Sequence, residues 1–319
     1  NSIRLEELHI NELYDSKGHI YIHNSKNMGR VLQKIEENKT HKLSDLFYVN
    51  QGLISGADKL NSAWAERLDI LENIGDGIFV LNEEELKKLD LCQDYLDKYV
   101  KKFYKNSCIK KYYTLKNKGL YLLYIDDTNL DNIEKLPPLY QHLSKYRKLL
   151  EQRREVARGV RKWYALQWPR NASVFEGPKI LAPQRCFENT FAYTEEAWYA
   201  SADVYYISSQ DKQTSLYYLL AILNSSLMYY WFYHRGKRKG EYLELYASPL
   251  KSVPLCYTQD IQNRMVAEDL VKTIIQKKED KKAVAEIQGK IDQFVFELYG
   301  LDKGEQKDIV DFIKGRKRN

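Results

Sequence analysis

The first part of the chain alternates between apolar side chains at helical spacing and short apolar runs. The apolar positions within residues 31–35 recur at helical intervals and predict a short helix over residues 27–39. Leu46, Tyr48 and Val49 predict a strand that ends in a turn containing two glycines. We therefore expect a helix that leads into a strand at the start of the main domain.

Two further apolar runs, at residues 78–81 and 120–126, predict buried strands. Asn82 follows the first run, and Glu85 comes three residues later. This spacing is typical of a capped helix start, in which each side chain bonds to the backbone of the other residue. The pattern predicts a strand followed at once by a helix.

Beyond Pro137 and Pro138, the apolar positions of residues 139–157 form one helical stripe, and the opposite face is basic. This pattern predicts one long basic helix that Gly159 ends. The most apolar segment, residues 216–233, carries polar side chains in its middle and has no apolar run near 18 residues. It predicts a buried helix and no membrane span.

The last third of the chain, from about residue 259 to residue 299, has helical periodicity. The charged residues 277–282 interrupt it, and residues 314–319 form a polar tail. Val266 and Leu270 belong to its apolar series. Further strands are predicted at residues 179–186, 197–207 and 253–255. Together the elements predict an α+β fold with β-sheets, a long basic helix and a C-terminal helical segment.

Positive charge is segregated along the chain. The net charge is +6, yet residues 101–118, 145–170 and 234–241 together carry +17, which leaves −11 for the rest. Each basic segment is interleaved with aromatic side chains. Cations neutralise phosphates and rings pack on sugars and bases, so this pattern favours binding of nucleic acid. The alternative is that the charges lie scattered over surface helices.

We predict a DNA-contacting set of basic residues drawn from the three basic segments, together with Arg185. It comprises Lys110, Lys111, Lys118, Arg161, Lys162, Arg170, Arg185, Arg235, Lys237, Arg238 and Lys239. Gly236 and Gly240 permit close approach of the backbone to a phosphate in the segment "HRGKRKGE". Trp163 and Trp168 are interpreted as core residues beside a helix end.

Motifs of catalysis do not appear in the sequence. No glycine-rich phosphate loop, no GxSxG elbow and no Asn-Pro dipeptide occurs, and His19 and His23 lie four apart beside Gly18 in a weakly helical stretch. The four cysteines are far apart and favour free thiols in a reducing cytoplasm over a metal site or disulfides. We expect neither a catalytic residue nor a metal or other cofactor in this chain.

Six segments, taken in order, resemble the TaqI-like C-terminal specificity domain. They are residues 43–59, 103–125, 146–170, 175–193, 218–255 and 291–301. The most specific is "LNSSLMYYWF" followed by "GKRKGEYLELY" and "PLKSVPL". This family forms the target-recognition part of adenine-specific DNA methyltransferases, including single-chain type IIG restriction–modification enzymes.

The resemblance implies a mixed α/β target-recognition domain with twisted sheets at residues 41–257 and a C-terminal helical segment at residues 258–319. Residues 1–40 are then a connector or the tail of a methyltransferase domain. The chain begins at Asn1 without Met, and we expect it to be part of a longer protein. The implied partners are double-stranded DNA and a methyltransferase domain, in the same chain or a separate subunit, with no membrane. S-adenosylmethionine and magnesium are expected in those other domains.

Two rival functions remain at this point. A nuclease or transferase would need acidic side chains that converge on a metal, and no such cluster is visible in the sequence. An interaction module would use the helices from about residue 259 onward to dock a separate methyltransferase, as a specificity subunit does.

Overall fold

Helices and mainly antiparallel strands share the chain, which confirms the α+β fold. The structure is a computed structural model and describes residues 26–70, 72–211 and 214–316. The predicted connector falls largely outside these residues, as do His9, His19 and His23. No helix within the described stretches has both the length and the apolarity to cross a bilayer.

The strands are β1 (His41–Lys42), β2 (Phe47–Gln51), β3 (Val80–Asn82), β4 (Val100–Tyr104), β5 (Leu120–Leu123), β6 (Lys179–Pro183), β7 (Arg185–Cys186), β8 (Ala192–Thr194), β9 (Tyr199–Ala200), β10 (Val204–Ser209), β11 (Lys237–Lys239), β12 (Tyr242–Glu244) and β13 (Pro254–Leu255). Two sheets have four strands, in the orders β2-β10-β6-β8 and β3-β5-β4-β9. A three-stranded sheet has the order β11-β12-β7, and β1 pairs with β13.

The helices before β6 are α1 (Lys26–Glu37), α2 (Leu43–Leu46), α3 (Ser62–Leu68), α4 (Glu83–Lys87), α5 (Gln93–Tyr99), α6 (Pro137–Ser144), α7 (Arg147–Glu151) and α8 (Arg154–Ala157). Those after β10 are α9 (Leu216–Leu223), α10 (Ser226–Arg235), α11 (Ala247–Lys251), α12 (Ile261–Gln276), α13 (Lys281–Leu298) and α14 (Lys303–Arg316).

The sheet β2-β10-β6-β8 separates two apolar cores. Alternate side chains of a strand point to opposite faces. In β10, Tyr205 and Ile207 face a core built with α1 and the helices from α9 onward. Val204 and Tyr206 face a second core built with the sheet β3-β5-β4-β9 and the helices α6 and α7. The C-terminal helices therefore share their core with the strands of the central sheet.

Local sequence signals placed several elements correctly. The helix α1, the strand β5 and the strand–helix junction at Asn82 are confirmed. The side chain of Asn82 accepts a hydrogen bond from the backbone N–H of Glu85 at 2.9 Å, and that of Glu85 accepts one from the backbone N–H of Asn82 at 2.7 Å. These two bonds satisfy backbone donors that the first turn of α4 leaves unpaired.

The predicted long basic helix is instead three short helices, α6, α7 and α8. The second break lies at Arg153, whose backbone is extended (φ −63°, ψ 135°). Its buried guanidinium donates to the carbonyl oxygens of Ser55 (2.8 Å), Trp163 (2.6 Å) and Leu150 (3.1 Å). These tertiary bonds outweigh the helical periodicity. Gly159, with φ +70°, follows α8 as predicted.

The predicted apolar helix at residues 216–233 is two helices, α9 and α10. The side chain of Asn224 bonds to both the N–H and the carbonyl of Phe191, at 3.0 and 2.9 Å. The hydroxyl of Ser225 caps α10 by accepting from the N–H of Met228 at 3.1 Å. Both polar side chains are fully buried, and their hydrogen bonds offset the cost of burial.

Two details of the C-terminal prediction are wrong. Val266 does not lie on the buried stripe of α12; its side chain is exposed, and Ala267, Val271 and Ile274 are buried instead. Residues 314–316 are not a tail, because they form the last turn of α14. Residues 317–319 lie outside the described part of the chain.

Candidate nucleic-acid interface

The basic glycine segment forms a β-hairpin, β11–β12, with Gly240 (φ +59°) in its turn. β12 also pairs with β7, so that Glu244 lies opposite Arg185. Arg238 lies opposite the buried Leu243, which places its side chain on the inner face of the sheet. By the same alternation Lys237 and Lys239 lie on the outer face, and all three basic side chains are exposed.

The outer face is organised around one buried carboxylate. Glu244 Oε1 is 3.1 Å from Arg185 Nε, and Glu244 Oε2 is 3.5 Å from Lys237 Nζ. Burial acts to raise the pKa of the Glu244 carboxyl, but the hydrogen bond from Arg185 and the charge of Lys237 outweigh it and hold the pKa below its usual value. The carboxylate thus fixes two cations whose side chains remain at least half exposed.

Two tyrosines line this cluster. Lys237 Nζ lies 4.6 Å from the ring centre of Tyr246, and hydrogen bonds to Tyr246 and Glu244 raise the pKa of Arg185. The ring of Tyr246 meets Tyr205 edge-on at 6.4 Å. Burial raises the pKa of Tyr205, and hydrogen bonds with the backbone of Ala247 and the side chain of Gln184 partly offset this rise. Arg185 and Lys237 therefore converge on one surface around Glu244 and Tyr246.

An exposed aromatic pair continues the same surface. Phe187, which directly follows β7, is 41% exposed, and Tyr242 is 54% exposed. Their rings meet edge-on with centroids 6.1 Å apart. We call Lys237, Lys239, Tyr242, Arg185 and Phe187 the hairpin face. It combines exposed cations with apolar ring surface on one small sheet.

Arg161 and Lys162 are not part of the hairpin face, and acidic partners hold both. Arg161 pairs with Asp127 at 2.6 Å, and its guanidinium lies over the ring of Trp168 at 5.5 Å. Lys162 Nζ bonds to the carbonyl oxygen of Asp131 at 2.7 Å. Their positive charge is locally neutralised. Trp163 is partly buried against the second core, in keeping with the interpretation of this tryptophan as scaffold.

The first basic segment divides between two places. Lys110 is exposed and Lys111 is half-buried near Asp292. They precede Tyr112, whose N–H donates to the carbonyl of Phe191 at 2.7 Å, so their loop borders the chain that leaves β7. Lys118 lies in the exposed turn before β5, in the other four-stranded sheet, and the structure does not bring it to the hairpin face.

Of the remaining predicted residues, Arg235 and Arg238 lie at the base and on the inner side of the hairpin, while Arg170 lies beside the end of β2. Arg235 is the half-buried last residue of α10. Arg170 is exposed, has φ +62°, and its Nε lies 3.3 Å from the carbonyl oxygen of Gly52. The guanidinium of Arg238 stacks on the ring of Tyr233 at 3.8 Å.

Sequence reasoning missed Phe187 and Arg316. Phe187 stands alone in a polar stretch, and nothing nearby in sequence marks it as exposed. Arg316 was assigned to the polar tail, although its guanidinium contacts the hairpin. One signal was available: Lys237 and Lys239 are two residues apart, the spacing that places side chains on one face of a strand.

Among the described residues, no three His, Cys, Asp or Glu side chains converge in a way that could hold a metal ion. The hairpin face likewise contains no pair of acid and base groups facing an open site. The arrangement is suited to contact with a polyanion.

The sequence profile of the TaqI-like C-terminal specificity domain matches residues 80–255. This stretch runs from β3 to β13 and includes the whole hairpin face.

Relatives cover the chain to different extents. The type II methyltransferase M.MjaIV of Methanocaldococcus jannaschii is 23% identical over 283 residues, which span 85% of this chain and 86% of that protein. The type II methyltransferase M.BanIII of Aneurinibacillus aneurinilyticus is 25% identical over 289 residues, again 85% of this chain but 45% of that protein. The chain thus spans most of one relative and less than half of the other.

A solved structure shares the fold. The type IIL restriction–modification enzyme MmeI, determined in complex with DNA, superposes with a TM-score of 0.56 at 14% identity. The superposition covers 88% of this chain and 36% of the MmeI chain.

Proposed function

The chain belongs to the TaqI-like C-terminal specificity domain family, and we propose that it recognises a duplex DNA sequence for a type II methyltransferase. The observation that carries the proposal is the hairpin face. It lies inside the matched stretch and offers cations and exposed rings together. That MmeI was determined with DNA bound supports the same assignment.

In this proposal, different residues of the hairpin face contact different parts of the DNA. Lys237, Lys239 and Arg185 contact phosphates, which position the protein on the duplex without reading its sequence. Phe187 and Tyr242 offer apolar ring surface to sugars and base edges, as strands of other sheet proteins do in a DNA groove. Arg170, which is exposed beside the end of β2, is a further phosphate contact in this proposal.

The chemistry belongs to another domain in this proposal. We assign methylation of adenine N6, and cleavage in a type IIG arrangement, to a catalytic domain in the same chain or a separate subunit. That domain would bind S-adenosylmethionine and magnesium. This chain would hold the DNA so that the target adenine reaches the catalytic domain, and its work on cellular DNA would take place in the cytoplasm.

Selection from a randomised duplex library tests the proposal. The purified chain is incubated with the library at about 100 mM salt, and bound duplexes are recovered and sequenced over several rounds. The proposal predicts enrichment of one short motif. Binding without any enriched motif, or no binding at low salt, would contradict sequence recognition by this chain.

A specificity-subunit arrangement is the second candidate, and one observation favours it. Ile261, Met265 and Val266 on α12 are 61, 49 and 53% exposed. In this arrangement the apolar patch would contact a separate methyltransferase subunit. Ile261→Asp with Met265→Asp is then expected to abolish co-elution with a methyltransferase expressed alongside the chain. Co-elution unchanged by the two substitutions would contradict it.

A further inference from the structure

Arg316, in the last turn of α14, connects the C-terminal helices to the hairpin. Its Nε donates to the hydroxyl of Tyr229 at 2.7 Å. Its terminal nitrogen is 2.5 Å from a carboxylate oxygen of Glu241, in the hairpin turn. The side chain is only 12% exposed although it carries a charge. A cation so enclosed has its hydrogen bonds directed at the protein and not at solvent.

Tyr233 of α10 is contacted by two guanidinium groups. That of Arg238, from β11, lies 3.8 Å from the ring centre, and that of Arg316 lies 4.0 Å from it. Two cations that share a ring repel each other, and a nearby anion offsets this repulsion. Glu241 supplies that anion from the hairpin turn. Hairpin, α10 and α14 therefore meet in one network of charge and ring contacts.

The helix that carries Arg316 is itself well anchored. Ile309 of α14 is fully buried, and the ring of Phe312 meets those of Tyr230 and Tyr233 at 5.2 and 5.1 Å. Near the start of α14, Glu305 is 2.7 Å from Lys34 Nζ of α1. The hairpin, by contrast, has only three residues in each strand, and such a ribbon is marginally stable alone.

We propose that Arg316 is a positioning residue for DNA recognition: it holds the hairpin face in its binding geometry before DNA arrives. This inference rests on the proposed function. A face ordered in advance does not lose that ordering entropy on binding. If the hairpin samples other conformations, the apparent dissociation constant rises as the inverse of the fraction of time that it spends in the binding conformation.

Arg316→Ala is the test, with Lys314→Ala as its matched control. Lys314 lies on the same turn of α14, is 67% exposed, and pairs only loosely with Asp311 at 3.9 Å. Both substitutions remove one positive charge at the same end of the helix. Only the first removes contacts to the hairpin. Glu241→Gln removes the same ion pair from the hairpin side, at a side chain that is 61% exposed. This second variant keeps the test decisive if Arg316→Ala does not fold.

Amide hydrogen exchange of residues 237–244 in the free protein gives the first readout. We expect exchange at least about 10-fold faster in Arg316→Ala, smaller acceleration in Glu241→Gln, and no change in Lys314→Ala. Arg316→Lys should protect the hairpin only in part, because an ammonium lacks the planar fork of a guanidinium. Unchanged exchange in both Arg316→Ala and Glu241→Gln would overturn the inference.

The dependence of DNA affinity on salt gives the second readout. A positioning residue lowers affinity, here by about 10-fold, and leaves the slope of log affinity against log salt unchanged, since the bound state keeps its phosphate contacts. A slope reduced by about 0.9 with normal exchange would identify Arg316 as a direct phosphate contact and overturn the inference. Absence of DNA binding in the wild type would refute the proposed function, while the exchange result would still decide whether Arg316 holds the hairpin.

Discussion

Lys179 shows how a single buried charge makes stability depend on pH. The residue is 1% exposed, and its Nζ donates to the carbonyl oxygens of Gly177 and Glu196, each at 2.7 Å. Burial lowers the pKa of Lys179 to about 8, and the charges of Glu176 and Glu196 partly offset this. The pKa of an unfolded lysine is about 10.4. Between these two values the unfolded chain binds more protons, so stability rises with pH.

Lys179→Met removes this contribution. We expect the free energy of unfolding of the wild type, relative to the variant, to rise by about 1 kcal/mol between pH 7 and pH 9. Urea unfolding of both proteins across this range gives the difference directly, because tyrosine and cysteine titrations are common to both. A difference that stays constant with pH would show that Lys179 keeps an ordinary pKa.

Tyr242 tests the aromatic part of the hairpin face at the scale of one residue. Tyr242→Ala is expected to weaken DNA binding by about 5-fold, the loss of roughly 1 kcal/mol of ring contact, with an unchanged salt slope. Tyr48→Ala is the control, since Tyr48 is also on a strand and is 56% exposed against 54% for Tyr242. Equal effects of the two substitutions would show that the ring of Tyr242 has no special contact with DNA.

Residue types alone could not separate the hairpin cations, two of which share the single carboxylate of Glu244, from cations that each have their own acidic partner. Arg161 and Lys162 have the same local composition as the hairpin cations, yet Asp127 and Asp131 lie some 30 positions earlier and neutralise them only in the folded chain. Charge counting along the sequence finds a basic segment. It does not reveal an acidic partner that lies in a distant segment and comes close only in the folded chain.

At the scale of elements, the break at Arg153 explains why the long basic helix does not form. Arg153→Met would remove the guanidinium donors to the carbonyl oxygens of Ser55 and Trp163, leaving Ser55 only the backbone N–H of Gln167 at 3.3 Å, and we expect a loss of about 3 kcal/mol in the free energy of unfolding. Arg158 is exposed and directly follows α8, so Arg158→Met should change the free energy of unfolding by less than about 0.5 kcal/mol. Urea midpoints of the two variants check this, and similar midpoints would contradict the assigned role of Arg153.

Elements with local signals were predictable, and elements shaped by distant contacts were not. Asn82 and Glu85 indicate a helix start because the two residues that bond to each other are only three positions apart in the sequence. Asn224 divides the apolar helix because it bonds to Phe191, 33 positions away. The glycine segment at residues 236–240 indicated a loop, and pairing of β12 with β7 turned it into the edge of a sheet.

At the scale of the whole molecule, the α+β class and the family could be predicted from the order of the elements and motifs in the sequence. The division into two cores could not. The central sheet is buried on both faces, so its strands appear in the sequence as continuous apolar runs. Such a run has no alternation of apolar and polar residues that would show which core each side chain faces. The C-terminal helices share a core with α9 and α10. They therefore support the hairpin from its buried side, independently of any partner that contacts the exposed end of α12.

The measurement that tests the central claim most directly is DNA affinity against salt for the wild type and for Lys237→Ala with Lys239→Ala. If both lysines contact phosphates, the slope of log affinity against log salt falls by about 1.8 in the double variant. Lys87→Ala with Lys88→Ala, at the C-terminal end of α4 beside the other four-stranded sheet, removes the same charge and should leave the slope unchanged. A hairpin variant with the wild-type slope would show that DNA does not lie on the hairpin face.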